Sequence, residues 1–380
     1  MNKKHYLWTA LALFSLSCQS YYFTTHSPLQ EIVDKKIGLE ENVASVPDMV
    51  LGESAVVRSS GGGSLLSNPA GLAESHCWTV DGAFDLRYAS ERVNEGEFLP
   101  QANFLNLNRY YLTISSPSTQ QLHFAGGSYL AYDLTYNLEP EGDKHVKYNG
   151  GIRAYSAGLG VGPWKSLSLG FGADYLHGAQ TVDIVGDSLT RNEHYSFSGY
   201  RLRAGMQFGT KLPGSNLSLA IGASVMPWGI LNRSGDMEER LELPLRWQVG
   251  LALAHKRLVG YLGLGQTLWT RTTSTIPEQE RLYRDRYANY ISYTAGVEFP
   301  NLVPETSLFF GYQVSALPTK SDKGETIPIK SVALGATHTP ADGKGWGWEV
   351  AGRYYGYGDI DAVLFSGNGS ELMLGLSWGF

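Results

Sequence analysis

The feature that most constrains the fold is a strand pattern that recurs from Trp78 to the C-terminus. Segments of about ten residues alternate between apolar and polar side chains, and turn-forming residues separate them. In the last segment the apolar face consists of Leu372, Leu374, Leu376, Trp378 and Phe380. Fourteen such segments begin near residues 78, 106, 122, 150, 167, 196, 216, 241, 258, 288, 306, 328, 345 and 371. An even number of strands is typical of closed bacterial barrels.

The connections between these segments alternate in length. Those after even-numbered segments are short, such as residues 162–166 and 255–257. Those after odd-numbered segments are long and polar, such as residues 90–105 and 270–287. Outer-membrane barrels have this asymmetry, with the short turns in the periplasm, whereas the loops of a soluble sandwich need not alternate. The pattern therefore predicts an all-β, 14-stranded antiparallel transmembrane barrel over residues 78–380.

Composition excludes several other classes. The chain has 30 Lys and Arg against 36 Asp and Glu, which gives a net charge of −6. This balance lacks the excess of basic residues that is typical of proteins that bind nucleic acid. Two cysteines cannot build a disulfide scaffold, and beyond residue 20 no apolar run reaches the length of a spanning helix. The histidines and cysteines lack the spacing of a zinc site, and no Lys-Ser/Thr follows the glycine run, as a nucleotide loop requires. No metal and no cofactor is predicted.

The N-terminus indicates export. Lys3 and Lys4 precede an apolar stretch at residues 7–16 and then small residues, which predicts a secretory signal peptide over residues 1–20. Cys18 is either a lipidation site or is removed with the signal peptide. Cys77 is then a lone thiol; if Cys18 survives unmodified, an oxidising periplasm permits a bridge between them.

Residues 21–77 precede the first strand and do not alternate. They contain Gly61, Gly62 and Gly63, followed by the run Asn-Pro-Ala-Gly-Leu at residues 68–72. The side chains of a fourteen-stranded wall cannot fill so wide a bore, so an internal segment is needed to prevent leakage. Glycine and Asn-Pro allow a thin segment to turn close to the wall. Residues 21–77 are therefore predicted to form a lumenal hatch, and the alternative for the glycines is a flexible linker.

These motifs carry a resemblance to a known family. Asn68-Pro69-Ala70-Gly71-Leu72 ahead of strand one resembles the FadL/TodX family of outer-membrane hydrophobic-compound transporters. The fourteen strands, Leu243-Pro244 followed by Gly250, and the terminal Phe380 support the resemblance. It implies a hatch held in the lumen with the help of Asn68, Pro69 and Ala70.

The resemblance also implies a kink in the third strand that opens the wall sideways. Gly126 and Gly127 are the candidates for this kink, because paired glycines weaken a strand and favour a bulge. Expected partners are outer-membrane lipid, a hydrophobic small-molecule ligand, and the barrel-assembly machinery through the strand that ends at Phe380.

Alternation places several charged side chains inside the barrel. They are Asp81, Asp85, Arg87, Arg201, Arg203, Arg246, Glu349 and Arg353. One interpretation is a network of ion pairs that satisfies wall and hatch. The other is that Arg201, Arg203, Arg246 or Arg353 binds the carboxylate of an amphiphilic ligand bidentately.

The predicted function is passive transport of hydrophobic or amphiphilic small molecules, of the fatty-acid or hydrocarbon type, across the bacterial outer membrane. The chain is short for these transporters, which keeps open a PorV-like role in protein secretion or envelope attachment. A third alternative is a lipid hydrolase that uses His194 and Ser196, two residues apart on one strand face. No catalytic residues are predicted under the first two readings.

Overall fold

The structure is a computed structural model that describes residues 45–75, 77–93, 101–117, 122–134, 136–138, 145–185, 190–236, 238–320, 324, 326–341, 343–357 and 365–380. The predicted signal peptide, Cys18 and the hatch residues before Ser45 lie outside this part of the chain.

The strands form one antiparallel sheet that closes on itself. They are β1 (Thr79–Val93), β2 (Gln101–Pro117), β3 (Leu122–Asp133), β4 (Tyr136–Leu138), β5 (His145–Trp164), β6 (Leu167–Val185), β7 (Thr190–Lys211), β8 (Leu217–Met226), β9 (Gly229–Gly235), β10 (Glu239–Glu242), β11 (Arg246–His255), β12 (Leu258–Thr267), β13 (Tyr290–Val303), β14 (Thr306–Lys320), β15 (Thr326–His338), β16 (Gly345–Tyr357) and β17 (Phe365–Gly379). β1 pairs with both β2 and β17, which closes the barrel. Because β3 and β4, β8 and β9, and β10 and β11 are pieces of three interrupted strands, the wall has fourteen strands. The predicted fourteen-stranded barrel is confirmed.

The outer face of the wall is apolar. In β17, Leu374, Leu376 and Trp378 are exposed while the alternating residues Met373 and Gly375 are buried, as the alternation predicted. Large exposed apolar side chains also lie on most other strands. A protein in water rarely exposes apolar surface of this extent, so the outer face is suited to a bilayer.

The short connections are tight turns. Residues 165–166, 256–257 and 304–305 each join two neighbouring strands. Lys256 and Glu305 have φ of 54° and 60°. The long connection between β12 and β13 contains a 3-10 turn (Trp269–Arg271) and a helix (Pro277–Arg286). This helix is labelled α3, because two helices described below precede it in the chain. In the described residues, no helix has the length and hydropathy needed to cross a membrane.

Residues 45–75, hereafter the internal segment, lie inside the barrel. They form the helices α1 (Val46–Leu51) and α2 (Ser64–Ser67) and the 3-10 turns Gly52–Val57 and Pro69–Glu74. The backbone N–H of Val46 donates to Glu349 on β16, and that of Gly62 donates to Asp81 on β1, both at 3.0 Å. Ser224 on β8 donates to the carbonyl O of Ser67 at 2.9 Å. A segment that contacts strands on several sides of a closed sheet must lie within the lumen. Its role as a plug, and the boundaries of the predicted hatch, stay predictions.

Inward-facing glycines give the internal segment room. A Cβ built on Gly160 would lie 2.6 Å from the backbone N of Ala73, and one on Gly250 would lie 2.8 Å from the carbonyl O of Ser54. Similar collisions would occur at Gly158, Gly170, Gly205, Gly222, Gly263, Gly296 and Gly311. Because these positions lack side chains, the backbone of the segment lies directly against the wall.

The eighth wall strand differs from its prediction. In the predicted segment that begins near residue 241, alternation places Leu241, Leu243, Leu245, Trp247, Val249 and Leu251 on one apolar face of a single strand. In the structure, however, β10 ends at Glu242 and β11 begins at Arg246. Leu241 and Leu243 are buried, whereas Val249 and Leu251 are exposed. Pro244 has no backbone N–H to donate to a sheet, which accounts for the interruption.

Candidate functional site

The predicted arginines of β7 form a buried ion-pair network. Arg201 Nε and Arg203 Nη2 lie 3.0 and 3.3 Å from the same carboxylate oxygen of Asp174 on β6. Ser156 on β5 and Tyr129 on β3 also donate to this carboxylate, at 2.6 and 2.9 Å. Two arginines and two hydroxyl groups therefore converge on one buried carboxylate.

Arg203 also connects the wall to the internal segment. Its Nη1 donates to the carbonyl O of Leu65 in α2 at 2.5 Å. Gln207, on the same face of β7, donates to the carbonyl oxygens of Val56 and Ser59 at 2.9 and 3.0 Å. These bonds fix the centre of the internal segment to β7.

The other two predicted arginines also have carboxylate partners. Arg246 Nη2 lies 3.7 Å from Glu53 Oε1, and Ser292 on β13 donates to the same oxygen at 2.7 Å. Arg353 donates from Nε to Glu371 at 2.9 Å and forms a second, shorter bond to it from Nη2. The ion-pair interpretation therefore describes all four arginines, while their ligand-binding role stays a prediction.

One ion pair was not predicted from the sequence. Arg58 in the internal segment bonds Glu298 on β13 from Nε and Nη2 at 3.2 and 3.3 Å, and Tyr261 donates to this carboxylate at 2.5 Å. Burial by itself lowers the pKa of Arg58, but the charge of Glu298 outweighs it and holds the pKa above its usual value. Alternation could assign Glu298 to the inner face, but not its partner, because Arg58 belongs to no strand.

The predicted hatch motif makes close contacts with the wall. Asn68 Nδ2 donates to the carbonyl oxygens of Val56 and Met206 at 2.6 and 3.1 Å, and its Oδ1 accepts from the N–H of Ala70 at 3.2 Å. Pro69 begins the 3-10 turn, where its missing N–H has no cost. Asn68 thus joins two parts of the internal segment to β7.

The three glycines precede this motif and differ in their surroundings. Gly61 has φ of 69°, and a Cβ on Gly62 would lie 2.5 Å from both Asp81 Oδ2 and Thr113 Oγ1. Gly63 precedes α2 as its N-cap. At Gly62 a side chain would displace the segment from β1 and β2, so this stretch is a close contact with the wall and not a free linker.

Two neighbouring cavities are described, the first between the internal segment and the wall and the second among residues of the wall and of the connection that follows β12. The first, hereafter the polar chamber, has an empty volume of about 560 Å³, which includes space open to solvent. It is lined by Asp48, Gly52, Glu53, Val56, Leu66, Ser67, Arg203, Ser224, Met226, Arg246, Gln248, Gln313 and Arg353. The second, hereafter the aromatic chamber, has an empty volume of about 410 Å³, which likewise includes space open to solvent. It is lined by Tyr132, Arg201, Met226, Trp228, Gly229, Leu243, Pro244, Arg246, Thr267, Trp269 and Tyr290.

The arrangement of the chambers suits an amphiphilic molecule. Met226 and Arg246 line both, so the aromatic chamber adjoins the charged one. Trp269 is 4% exposed, and its indole N–H has no hydrogen-bond partner in the described residues. A buried donor without a partner is costly, and an acceptor atom of a ligand would satisfy it. Alternation could not reveal Trp269, because it follows β12 in a long connection.

The third wall strand is regular at the predicted kink. β3 pairs without a register shift through Gly126 and Gly127, with β2 on one side and β5 on the other. The shift in the pairing with β5 lies between Leu130 and Tyr132. The irregularity is therefore displaced from the glycines, toward the end of the strand where Tyr132 lines the aromatic chamber.

The residues of the hydrolase alternative lie on the outside. His194 and Ser196 are exposed on β7, on the same face as Tyr200. Their cross-strand neighbours on β6 are Thr181 and Ala179, and the carboxylate of Asp236 on the other side accepts from the backbone N–H of His194 at 3.0 Å. Among the described contacts, none joins the His194 ring to the Ser196 hydroxyl or to a carboxylate, as the activation of a nucleophilic serine requires. In the described part of the chain, no group of three or more His, Cys, Asp or Glu side chains could hold a metal ion.

A closed fourteen-stranded wall with an apolar outer face and a segment in its lumen together define a transmembrane β-barrel. Solved structures with this fold include a Pseudomonas aeruginosa FadL homologue, at a TM-score of 0.65 and 11% identity over 88% of this chain and 98% of that one. The P. putida toluene transporter TodX gives a TM-score of 0.62 and 12% identity over 90% and 99%. The Ralstonia pickettii toluene transporter TbuX gives 0.58 and 10% over 90% and 99%.

These similarities confirm the predicted resemblance to FadL/TodX barrels at the level of the fold. The chain spans nearly the whole length of each, so its length does not set it apart from the transporters. It matches no protein-family model, and no curated protein matches it.

Proposed function

We propose that this chain carries hydrophobic or amphiphilic small molecules passively across the bacterial outer membrane. The observation that carries the proposal is the aromatic chamber, in which apolar side chains surround a cavity next to the guanidinium of Arg246. Ligand sites in proteins are mostly apolar cavities with a few convergent polar groups. The fold shared with a FadL homologue and with toluene transporters supports the same reading.

In this proposal each of the two chambers holds a different part of the ligand. The apolar part lies among Trp228, Trp269 and Tyr290, and a carboxylate, where the ligand has one, lies near Arg246. The internal segment closes the lumen to water and ions. No energy source and no cofactor is required, because the molecule moves down its own gradient.

The proposal is tested by a binding measurement on the purified barrel. A fluorescent fatty acid, 11-(dansylamino)undecanoic acid, should bind the parent protein, and Trp269→Ala should weaken binding. Arg246→Gln should raise the dissociation constant of this probe by about tenfold to a hundredfold, since a hydrogen bond to a charged group is worth about 1.5–3 kcal/mol. The neutral dye N-phenyl-1-naphthylamine should be little affected by Arg246→Gln. Trp346→Ala is the matched control, because Trp346 lies on the outer face.

Native mass spectrometry with lipid extraction separates this proposal from its rivals. A retained apolar molecule supports transport. A co-purifying envelope or secreted protein, without apolar ligand, supports the PorV-like role. An esterase activity that disappears in Ser196→Ala would support the hydrolase.

A further inference from the structure

The wall contains an interruption that faces the aromatic chamber. The seventh wall strand (β8 and β9) pairs with the eighth (β10 and β11) on both sides of an interval without regular pairing. On one side the pairing ends with Arg246 opposite Met226, and on the other side it resumes with Glu242 opposite Ile230. Four residue steps separate these two pairs on both strands, so no residue is inserted and residues 227–229 lie opposite residues 243–245. One backbone hydrogen bond is described across this interval, from Leu243 N–H to Gly229 O at 2.9 Å. An unbroken antiparallel ladder of this length, about 13 Å, averages one bond per residue pair.

Two prolines reduce the number of backbone donors in this interval. Pro227 and Pro244 lie on opposite strands within the same interval, and neither has an N–H to donate. Each strand nevertheless stays attached to its other neighbour. Leu202 on β7 donates to Trp228 O at 3.0 Å, and Leu268 after β12 donates to Leu245 O at 2.9 Å. The weak seam is therefore confined to the boundary between the seventh and eighth strands.

The residues of this seam also line the aromatic chamber. Trp228, Leu243 and Pro244 all contact the cavity. Leu243 is 8% exposed, whereas Trp228 is 45% exposed. A single layer of side chains thus separates the chamber from the outside of the barrel at this point.

The surface outside the seam is apolar. Tyr200 on β7 and Val249 on β11 are exposed beside it. Tyr200 packs on Tyr175 with ring centroids 5.4 Å apart, and the next outward residue of β6 beyond Tyr175 is His177. Since the short turns mark the periplasmic end, the seam lies near the extracellular edge of the apolar band.

We propose that this seam, formed by residues 227–229 and 243–245, is a lateral window through which hydrophobic molecules pass between the aromatic chamber and the bilayer. It differs from the predicted opening in the third strand, which belongs to another part of the wall. The window rests on the proposed transport function, because it serves molecules held in the chamber. Opening requires the loss of one backbone hydrogen bond and a movement of Trp228 and Leu243, while the bonds to β7 and to Leu268 remain.

The test closes the window with a removable bridge. Trp228→Cys with Pro244→Cys, in a Cys18→Ser, Cys77→Ser background, places two thiols on opposite sides of the seam. A short bis-methanethiosulfonate reagent joins them, and dithiothreitol releases them. The readout is entry of N-phenyl-1-naphthylamine into intact Gram-negative cells that make the protein. Bridging should reduce entry to the rate of cells without the protein, and reduction should restore it.

The matched control bridges the same two strands where their pairing is complete. Ala223 lies opposite Val249 in the ladder of β8 and β11. Ala223→Cys with Val249→Cys should carry dye equally well in the bridged and the reduced state. Heat-modifiability in detergent confirms that both variants fold.

The outcomes separate the window from the function on which it rests. If the parent admits dye faster than background and the window variant admits it equally fast in the bridged and the reduced state, the window is overturned and the transport function is retained. An equal loss in the control pair overturns the window as well, because bridging the wall anywhere would then be enough. Dye entry by the parent no faster than background overturns transport and the window together.

Discussion

The contact between Asn68 and the wall predicts the effect of adding a single methyl group to β7. Gly205 faces Asn68, and a Cβ at this position would overlap Asn68 Oδ1 and lie 3.2 Å from Pro69 Cδ. Both the strand and the 3-10 turn that Pro69 begins are held by backbone bonds, so neither can move far without losing contacts. We expect Gly205→Ala to displace Asn68 and to loosen the internal segment.

The magnitude follows from the bonds that Asn68 makes. Three hydrogen bonds are at risk, to Val56, Met206 and Ala70. At about 0.5–1.5 kcal/mol each, their loss destabilises the closed state by roughly 1.5–4.5 kcal/mol. The population with the internal segment displaced should therefore rise by about one to three orders of magnitude. The wall itself should stay closed, because its backbone hydrogen bonds run between strands.

Planar-bilayer conductance measures this population directly. The parent should be nearly closed, Gly205→Ala should show frequent openings, and deletion of residues 24–70 should leave the pore permanently open to small hydrophilic solutes. Gly209→Ala is the control, because Gly209 lies four residues further along the same face of β7 and nothing lies within 4 Å of a Cβ built there. A folded deletion variant that stays non-conducting would refute the plug role. Openings as frequent in Gly209→Ala as in Gly205→Ala would refute the assigned contact.

Three further predictions test the wall and its charges. Leu374→Arg, on the lipid face, should destabilise the barrel by about 2–4 kcal/mol, whereas the inward-facing Ser377→Arg should cost far less. Equal effects of the two substitutions on unfolding in detergent would show that the assigned faces are wrong. Asp174→Asn removes the negative charge that Arg201 and Arg203 share and should cost about 3–5 kcal/mol of stability, so an unchanged midpoint of urea unfolding would contradict the shared carboxylate. Cys77 should be alkylated on unfolding without prior reduction; a requirement for reductant would instead indicate a bridge to Cys18.

The wall could be predicted from the sequence because its information is local. Each strand crosses an apolar solvent on one side and a polar lumen on the other, so neighbouring residues alternate in polarity. That alternation was enough to count fourteen strands and to assign the inner faces of Arg201, Arg203, Arg246 and Arg353. The interruption of the eighth strand was open to prediction too, since Pro244 within a predicted strand argues against a continuous ladder.

The partners of the inward charges could not be read in the same way. Glu53 belongs to a segment without periodicity, and its pairing with Arg246 joins residues far apart in the chain. Which carboxylate meets which arginine depends on how the internal segment runs through the lumen. That path is set by many close backbone contacts with wall glycines.

The sequence by itself thus determined the number of strands, the face of the wall residues outside the interrupted eighth strand, and the presence of a glycine-containing segment ahead of the wall. Only the tertiary structure decided that Trp228, Leu243 and Trp269 line one chamber, that two prolines lie one residue out of register on neighbouring strands of the wall, and that Asn68 contacts Gly205. The physical reason is that polarity alternates over two residues, whereas a cavity forms where surfaces from distant parts of the chain fail to fill the space between them.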